Sequence, residues 1–159
     1  MVKEKLHQTR IYDKEGFRKR AACVCVRNDS ESEVLLVTSS RSPDHWVVPG
    51  GGLEPHEDPE SAASREALEE AGIRGQLGRC LGVFENSERK HRTFVYVFMV
   101  KEELPYWEEA LKIGRRRKWF SVREAKHVLD LYRPLQTISF SYIVIIRIRE
   151  LSLSKKIGF

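Results

Sequence analysis

The sequence predicts an α/β domain in which helices pack on a mixed β-sheet. Two observations favour this class: short β-branched and apolar segments occur both before and after one early helical segment, and that segment has clear start and stop signals. At 159 residues, the chain has the length of one domain with a sizeable core. No repeat or low-complexity linker divides it.

The first strands are predicted at residues 20–26 and 33–38, joined by the polar turn at 28–32. A short apolar run at 46–49 then enters the three glycines at 50–52. Glycine has no Cβ, so its backbone can approach a ligand closely or turn a carbonyl toward a metal. These residues therefore predict a ligand-binding loop.

The early helix is predicted at residues 59–71. Asp58 supplies an N-cap, Pro59 suits the first turn, and Gly72 supplies a C-terminal stop. The buried face of this helix is expected to contain Ala67, Leu68 and Ala71.

Three further strands are expected in the second half of the chain, at residues 78–85, 93–100 and 118–120. A polar loop at 86–92 separates the first two. The last helix is predicted to begin at a capping box formed by Ser121 and Glu124 and to run to about residue 131.

The net charge of +5 conceals an asymmetry. Residues 51–72 contain seven acids and one base, so they carry −6 and the remainder of the chain carries +11. A negative pocket in a basic body favours a strongly anionic substrate that meets a metal and arginines together. Polyphosphate fits that description, and a neutral substrate does not.

The cysteines and the hydropathy pattern bear on location. Cys23, Cys25 and Cys80 show no metal-ligand spacing, and the first two are predicted to be buried strand thiols in a reducing compartment, the cytoplasm or nucleus. The first ten residues have charges but no apolar stretch, so no signal peptide is expected. No run approaches the roughly 20 apolar residues that cross a bilayer. We therefore expect no membrane contact. We also expect a monomer.

Three glutamates mark the early helix. Glu66, Glu69 and Glu70 are three and four residues apart, so they share a helix face that is expected to point outward. Their mutual repulsion would be relieved by a divalent cation such as Mg²⁺, which prefers carboxylate oxygens. A solvated acidic face is the alternative. We also expect Glu57 and Arg65 to pair and fix the preceding loop against the helix.

The segment from 51 to 73 resembles the Nudix box of the Nudix hydrolases, G-x5-E-x7-R-E-U-x-E-E-x-G-U with U apolar. Its fixed positions are filled by Gly51, Glu57, Arg65, Glu66, Ala67, Glu69, Glu70, Gly72 and Ile73. This resemblance implies a Nudix α/β/α sandwich with a mixed β-sheet and a catalytic loop-helix.

Basic residues cluster in six segments, at Arg10, 18–20, Arg41, 89–92, 115–118 and Arg133. Arginine meets phosphate oxygens two at a time, so several such groups around one pocket would hold a molecule with many phosphates. For any one of them, a solubilising surface charge is the alternative. His91 is either a pH-sensitive phosphate ligand or an ordinary surface histidine.

The resemblance extends over residues 8–134. The stretches QTRIYDKEGFRKRAAC, VLLVTSSRSPDHWVVPGGGLEP and GRCLGVFENSERKHRT, together with W-E-x3-L-K-IGRRRKWF, are similar to those of the diphosphoinositol polyphosphate phosphohydrolases. It implies phosphate-binding roles for Arg10, Arg18, Lys19, Arg20, Ser39, Ser40, Arg41, Arg89, Lys90, His91, Arg115 and Arg133. The family usually has lysine where this chain has Arg133, which keeps the charge and changes the donor geometry.

The same resemblance implies the catalytic centre. The carbonyl of Gly50 with Glu66 and Glu70 would bind Mg²⁺ or Mn²⁺, and Glu69 would accept a proton. Arg65 completes the implied catalytic set. Adjacent carboxylates titrate as a coupled set, so the alternative to Glu69 is a neighbouring carboxylate.

The implied activity is metal-dependent hydrolysis of diphosphate groups in diphosphoinositol polyphosphates, and also in diadenosine polyphosphates. The alternatives are an mRNA-decapping enzyme that binds RNA through capped ends, an inorganic polyphosphate hydrolase, and a catalytically weak module that binds inositol phosphates or RNA. A pure binder has no need of all three helical glutamates, which favours an enzyme. The domain is expected at 1–138, followed by a divergent β-branched and aromatic tail at 139–159.

Overall fold

Strands dominate residues 9–132, the part of the chain that the computed structural model describes. The elements in chain order are β1 (Arg18–Val26), β2 (Glu33–Thr38), β3 (Trp46–Val47), β4 (Gly50–Gly52), α1 (Pro59–Ala71), β5 (Ile73–Asn86), β6 (His91–Glu103), α2 (Glu108–Ile113), β7 (Arg117–Ser121) and α3 (Val122–Tyr132). Arg133 and the predicted tail at 139–159 lie outside the described residues.

The strands form one mixed sheet, as predicted. Its order is β3-β2-β1-β6-β5, with β4 added on β1 and β7 added on β2. The central strands β1 and β6 are parallel, and the other pairs are antiparallel. Strand β1 therefore contacts three partners, and its first residues lie between β4 and the start of β6.

Helices cover both faces of the sheet. Alternate residues of a strand point to opposite faces, and β1 divides its side chains accordingly between two cores. Ala21, Cys23 and Cys25 pack with the alanines of α1, whereas Ala22, Val24 and Val26 pack with Ala125 and Leu129 of α3. The predicted α/β/α layers and the burial of the two strand cysteines are thus confirmed.

Local signals fix the ends of α1 where the sequence predicts them. The side chain of Asp58 accepts a hydrogen bond from the Ser61 amide at 2.7 Å, and Pro59 is the first helical residue. Gly72 ends the helix in the left-handed conformation, with φ of 63°. The hydroxyl of Ser121 likewise accepts from the Glu124 amide, as expected for the start of α3.

Four local predictions differ from the structure. Residues 50–52 form strand β4 rather than a loop, because glycines leave no side-chain pattern to show pairing with β1. Helix α2 was not predicted, since its N-cap residue, Trp107, makes no side-chain capping bond. Strands β5 and β6 are both longer than expected, and bulges interrupt their pairing.

No helix within residues 9–132 combines the length and apolar character needed to span a bilayer.

Candidate active site

Strand β4 separates an acidic surface from a basic one. A Cβ atom at Gly51 would lie 2.6 Å from the carboxyl carbon of Glu66, and one at Gly52 would overlap the guanidinium of Arg18. Both neighbours occupy the space that a side chain would need, so glycine allows this close approach without displacing them. The glycine strand therefore brings a carboxylate of α1 and an arginine of β1 to its opposite faces.

The helix glutamates do not all point outward, which corrects the prediction. Glu66 is 2% exposed and Glu70 is 8% exposed, and both lie against β4, whereas Leu68, predicted to be buried, is 36% exposed. The small alanines of α1 suffice to pack on the sheet. The helix is consequently rotated so that two carboxylates face the glycine strand.

Arg65 balances much of this acidic surface. Its guanidinium donates to both carboxylate oxygens of Glu57, at 2.8 and 2.9 Å, and to the Gly52 carbonyl at 3.0 Å. It also donates to Glu66 at 2.9 Å and to Glu69 at 3.2 Å. The predicted pair of Glu57 and Arg65 is confirmed, and it fixes the loop before α1 against the helix.

Glu70 is balanced less well than its neighbours. One of its oxygens accepts from the Gly50 amide at 3.0 Å, and the other lies 3.7 Å from Nη2 of Arg115. Burial, and then the negative charge of Glu66, raise the pKa of Glu70 to about 8. A positive ion beside this carboxylate would restore its usual ionisation.

No group of three or more His, Cys, Asp or Glu side chains within residues 9–132 is arranged to hold a metal ion. The carboxylates are instead engaged by Arg65, Arg115 and the Gly50 amide. Two observations nevertheless fit a hard divalent cation: Glu66 and Glu70 are buried carboxylates one turn apart, and the backbone of Gly50 and Gly51 lies directly beside them.

The basic surface lies on the other face of β4. Arg18 and Arg20 alternate along β1, and in the parallel pairing with β6, His91 lies opposite Arg18. The Nε atoms of both arginines are buried and have no hydrogen-bond partner among the described residues. Burial, and then the charges of Arg20 and Arg10, lower the pKa of Arg18, and burial also lowers the pKa of Arg20.

His91 lies within this group of positive charges. Burial, followed by the charges of the neighbouring arginines, lowers its pKa to about 4. The arginines concerned are Arg20, Arg18, Arg89 and Arg10. Arginines from the start of the chain, from β1 and from the loop before β6 therefore lie near one histidine, so it is not an ordinary surface residue.

The remaining predicted phosphate ligands are placed unevenly. Ser39, Ser40 and Arg41 follow β2 directly, at the end of the sheet where β1 begins. Lys19 alternates with Arg18 and Arg20, so its side chain leaves the sheet on the opposite face. The ammonium of Lys90 lies 5.9 Å from the ring centre of Phe17. Arg133 is outside the described residues.

Several other basic residues are used by the fold. Arg92 donates to Asp13, Glu15 and Glu85, and its guanidinium lies 4.0 Å from the ring centre of Phe17. Arg117 donates to the carbonyls of Ala71, Gly72 and Leu104, and so holds the C-terminal end of α1. Membership of a basic segment therefore does not by itself identify a ligand-binding residue.

The contacts that Arg115 and Trp107 make around α2 were not predicted from the sequence. The residue is 8% exposed, and its Nε lies 2.8 Å from Glu109 of α2, while Nη1 donates to the Thr38 carbonyl at 2.7 Å. Trp107, just before α2, donates from its indole to the carbonyl of Glu70 at 2.9 Å. The two acidic residues at 108–109 are typical of the start of a helix. They do not show what that helix packs against, so they were only a weak signal of the contact with Arg115.

Comparison with known proteins agrees with this geometry. Residues 17–138 match the family model of the NUDIX domain. Human diphosphoinositol polyphosphate phosphohydrolase 2 is 59% identical over 135 residues, covering 85% of this chain and 75% of that protein. Mouse diphosphoinositol polyphosphate phosphohydrolase 3-alpha is 58% identical, covering 84% of this chain and 82% of that protein. A solved NUDIX hydrolase from Nitrosomonas europaea matches with a TM-score of 0.63 at 25% identity, covering 84% of this chain and 88% of that one.

Proposed function

Because the chain belongs to the Nudix hydrolases, and within them to the diphosphoinositol polyphosphate phosphohydrolases, we propose that it hydrolyses a diphosphate group of a diphosphoinositol polyphosphate. The observation that carries this proposal is the division of charge across β4. Buried carboxylates lie on one side, and arginines with unpartnered donors lie on the other. A substrate with a reactive diphosphate and several further phosphates fits both sides.

The acidic side would perform the chemistry. Nudix hydrolases generally use divalent metal ions, and Glu66, Glu70 and the carbonyl of Gly50 are the proposed ligands here, for Mg²⁺ or Mn²⁺. Such an ion lowers the pKa of bound water and neutralises charge on the scissile diphosphate. Glu69, less buried than the other two, is the proposed acceptor of the proton from water. Arg65 donates to Glu66 and Glu69 and so fixes the positions of these two carboxylates.

The basic side would bind the phosphates of the ring. Arg18 and Arg20 are the ligands with most support, because the Nε of each is buried and has no hydrogen-bond partner within the described chain. Arg10, Arg89 and His91 converge on the same place. Ser39, Ser40 and Arg41 lie at the adjoining strand end. We extend the proposal to diadenosine polyphosphates, which present the same linkage with fewer charges.

A turnover assay tests the proposal. A diphosphoinositol pentakisphosphate labelled in its diphosphate group should release labelled phosphate only when Mg²⁺ or Mn²⁺ is present. Glu69→Gln, which keeps the size of the side chain, should lower this release strongly, though less than loss of the metal ligand Glu70. Diadenosine polyphosphate, inorganic polyphosphate and capped RNA serve as competing substrates. Binding of the inositol substrate without turnover would favour a binding module, and faster turnover of capped RNA or polyphosphate would contradict the proposed substrate class.

A further inference from the structure

Arg115 lies between two carboxylates that belong to different helices. Its Nε is 2.8 Å from Glu109 of α2, and its Nη2 is 3.7 Å from Glu70 of α1. A third donor, Nη1, is used by the carbonyl of Thr38 at 2.7 Å. The side chain of Arg115 is 6% exposed, so its charge must be balanced by these neighbours rather than by water.

The two distances differ in a way that matters for Glu70. At 2.8 Å, Arg115 and Glu109 form a close ion pair, although Nε and the facing carboxylate oxygen are not aligned as a hydrogen bond, whereas Arg115 and Glu70 are 3.7 Å apart. Glu109 therefore takes the closer contact with the shared guanidinium. If the Glu109 carboxylate were removed, Arg115 could move to pair directly with Glu70.

We propose that Glu109 is a positioning residue, which holds Arg115 away from Glu70 and so leaves Glu70 available for a divalent cation. This inference rests on the proposed metal site at Glu66 and Glu70. An arginine in direct contact with Glu70 would compete with a metal for the same oxygen, because both are cations that bind carboxylate. Glu109 also adds negative charge near the site, which favours a divalent ion.

The attachment of α2 does not depend on this contact alone. Trp107 donates to the carbonyl of Glu70 and packs on Gly72, where a Cβ would lie 2.6 Å from the indole ring. Replacement of Glu109 by glutamine keeps the side-chain volume and removes only the charge. We therefore expect Glu109→Gln to stay folded, with a lower melting temperature because Arg115 loses its closest counter-charge.

The neighbouring residue supplies a matched control. Glu108 is on the same helix and has the same chemistry, but it pairs with Lys112 at 2.6 Å and its side chain is 40% exposed. Glu108→Gln removes the same charge one residue away, where the ion-pair partner is Lys112. A general effect of lost negative charge on α2 would appear in both variants, whereas the proposed effect would appear in Glu109→Gln alone.

The primary measurement is binding of Mn²⁺ to the full chain without substrate. Binding is monitored by the decrease of the electron paramagnetic resonance signal of free Mn²⁺. Glu109→Gln should raise the Kd for Mn²⁺ by about tenfold, the size expected for the loss of one charge-assisted contact. Glu108→Gln should leave the Kd unchanged. The double variant Glu109→Gln with Arg115→Gln should recover most of the affinity, because the competing cation is gone.

The outcomes separate this inference from the proposed function. If Mn²⁺ does not bind the unmutated chain, or if Glu70→Gln does not weaken it, the metal site itself is wrong. If that site holds but the Kd of folded Glu109→Gln is unchanged, the positioning role is wrong. Failure of the double variant to recover affinity would also overturn it, since Glu109 would then act by a route that does not include Arg115.

Discussion

The two faces of β4 balance their charges in different ways. On the α1 side, Arg65 serves Glu57, Glu66 and Glu69 at distances of 2.8 to 3.2 Å. On the opposite side, Arg18 and Arg20 crowd together with buried, unpartnered Nε atoms. The fold thus supplies counter-charges for its carboxylates and leaves these arginines with unmet donors. On the α1 side, the charges are therefore balanced largely by residues of the protein itself. On the opposite side, an anionic ligand would supply the missing counter-charge.

This comparison also predicts how a ligand affects stability. Like charges held together oppose folding, and a polyanion that neutralises them binds the folded state alone. The folded protein is therefore expected to become more stable when a polyphosphate binds to the basic face. On the acidic face, Glu70 is in the corresponding position with the opposite charge. Its buried negative charge lowers the stability of the folded protein, and a bound metal ion would offset that loss.

The largest expected effect comes from Glu70→Gln. Loss of a proposed metal ligand should lower turnover by orders of magnitude. In the absence of metal, the same change should increase the free energy of unfolding at pH 8. The pKa of Glu70 is raised to about 8 in the folded chain, so its ionisation costs stability progressively as the pH rises from the ordinary glutamate value toward 8. Turnover assays and urea unfolding at pH 5 and pH 8 measure both effects. Unimpaired turnover at limiting Mg²⁺ would contradict the assignment.

The next effect compares one arginine from each face. Arg65→Gln removes the common partner of three carboxylates and should lower the free energy of unfolding by about 3 kcal/mol, as for the loss of one member of a buried ion pair. Arg20→Gln should destabilise the fold less than Arg65→Gln, because the buried charge of Arg20 is attracted by Glu70 and Glu66 but repelled by Arg89, and its Nε makes no hydrogen bond. Chemical denaturation of both variants tests the contrast. Equal destabilisation would mean that the basic face is held together by contacts of its own.

A third effect concerns substrate. Arg18→Ala or Arg20→Ala should weaken binding about tenfold to a hundredfold for a ligand with many ring phosphates, since a charge-assisted contact contributes roughly 1.5–3 kcal/mol. The loss should be smaller for diadenosine polyphosphate, which has fewer phosphates to contact these residues. Arg116→Ala is the control, because this exposed residue donates to the Pro43 carbonyl and lies over the ring of Trp46. Equal losses on both ligands would indicate an effect on the fold or the acidic face.

The sequence predicted α1 well because its signals are local. Asp58, Pro59 and Gly72 act within a few residues of the helix ends, and the structure shows all three in their expected conformations. Strand β2 was also predicted with its correct bounds, since its apolar run lies between polar turns. Where a pattern of side chains directly specifies the element, sequence alone suffices.

Other features depend on contacts between distant residues. Arg18 and Arg92 occupy similar basic segments, yet Arg92 contacts three carboxylates from two other parts of the chain. The outward orientation predicted for Glu66 and Glu70 was wrong because the side chains of α1 that pack on the sheet are small, and the glycines of β4 leave space for carboxylates. Neither the rotation of a helix nor the partner of an arginine follows from spacing alone. These are the features that distinguish the two faces of β4.

The smallest expected effect is the response of the basic face to pH. Because the pKa of His91 is lowered to about 4, the unfolded chain binds more protons than the folded chain between that value and the ordinary histidine pKa of about 6.5. The stability of the unliganded protein should therefore fall as the pH drops through this interval, and His91→Gln should reduce that fall. Inositol hexakisphosphate, which has no diphosphate group, should raise the pKa of His91 by neutralising the surrounding arginines. Proton NMR of the imidazole with and without this ligand measures the change directly. A histidine that titrates near 6.5 in the free protein would show that the arginines do not converge on it in solution.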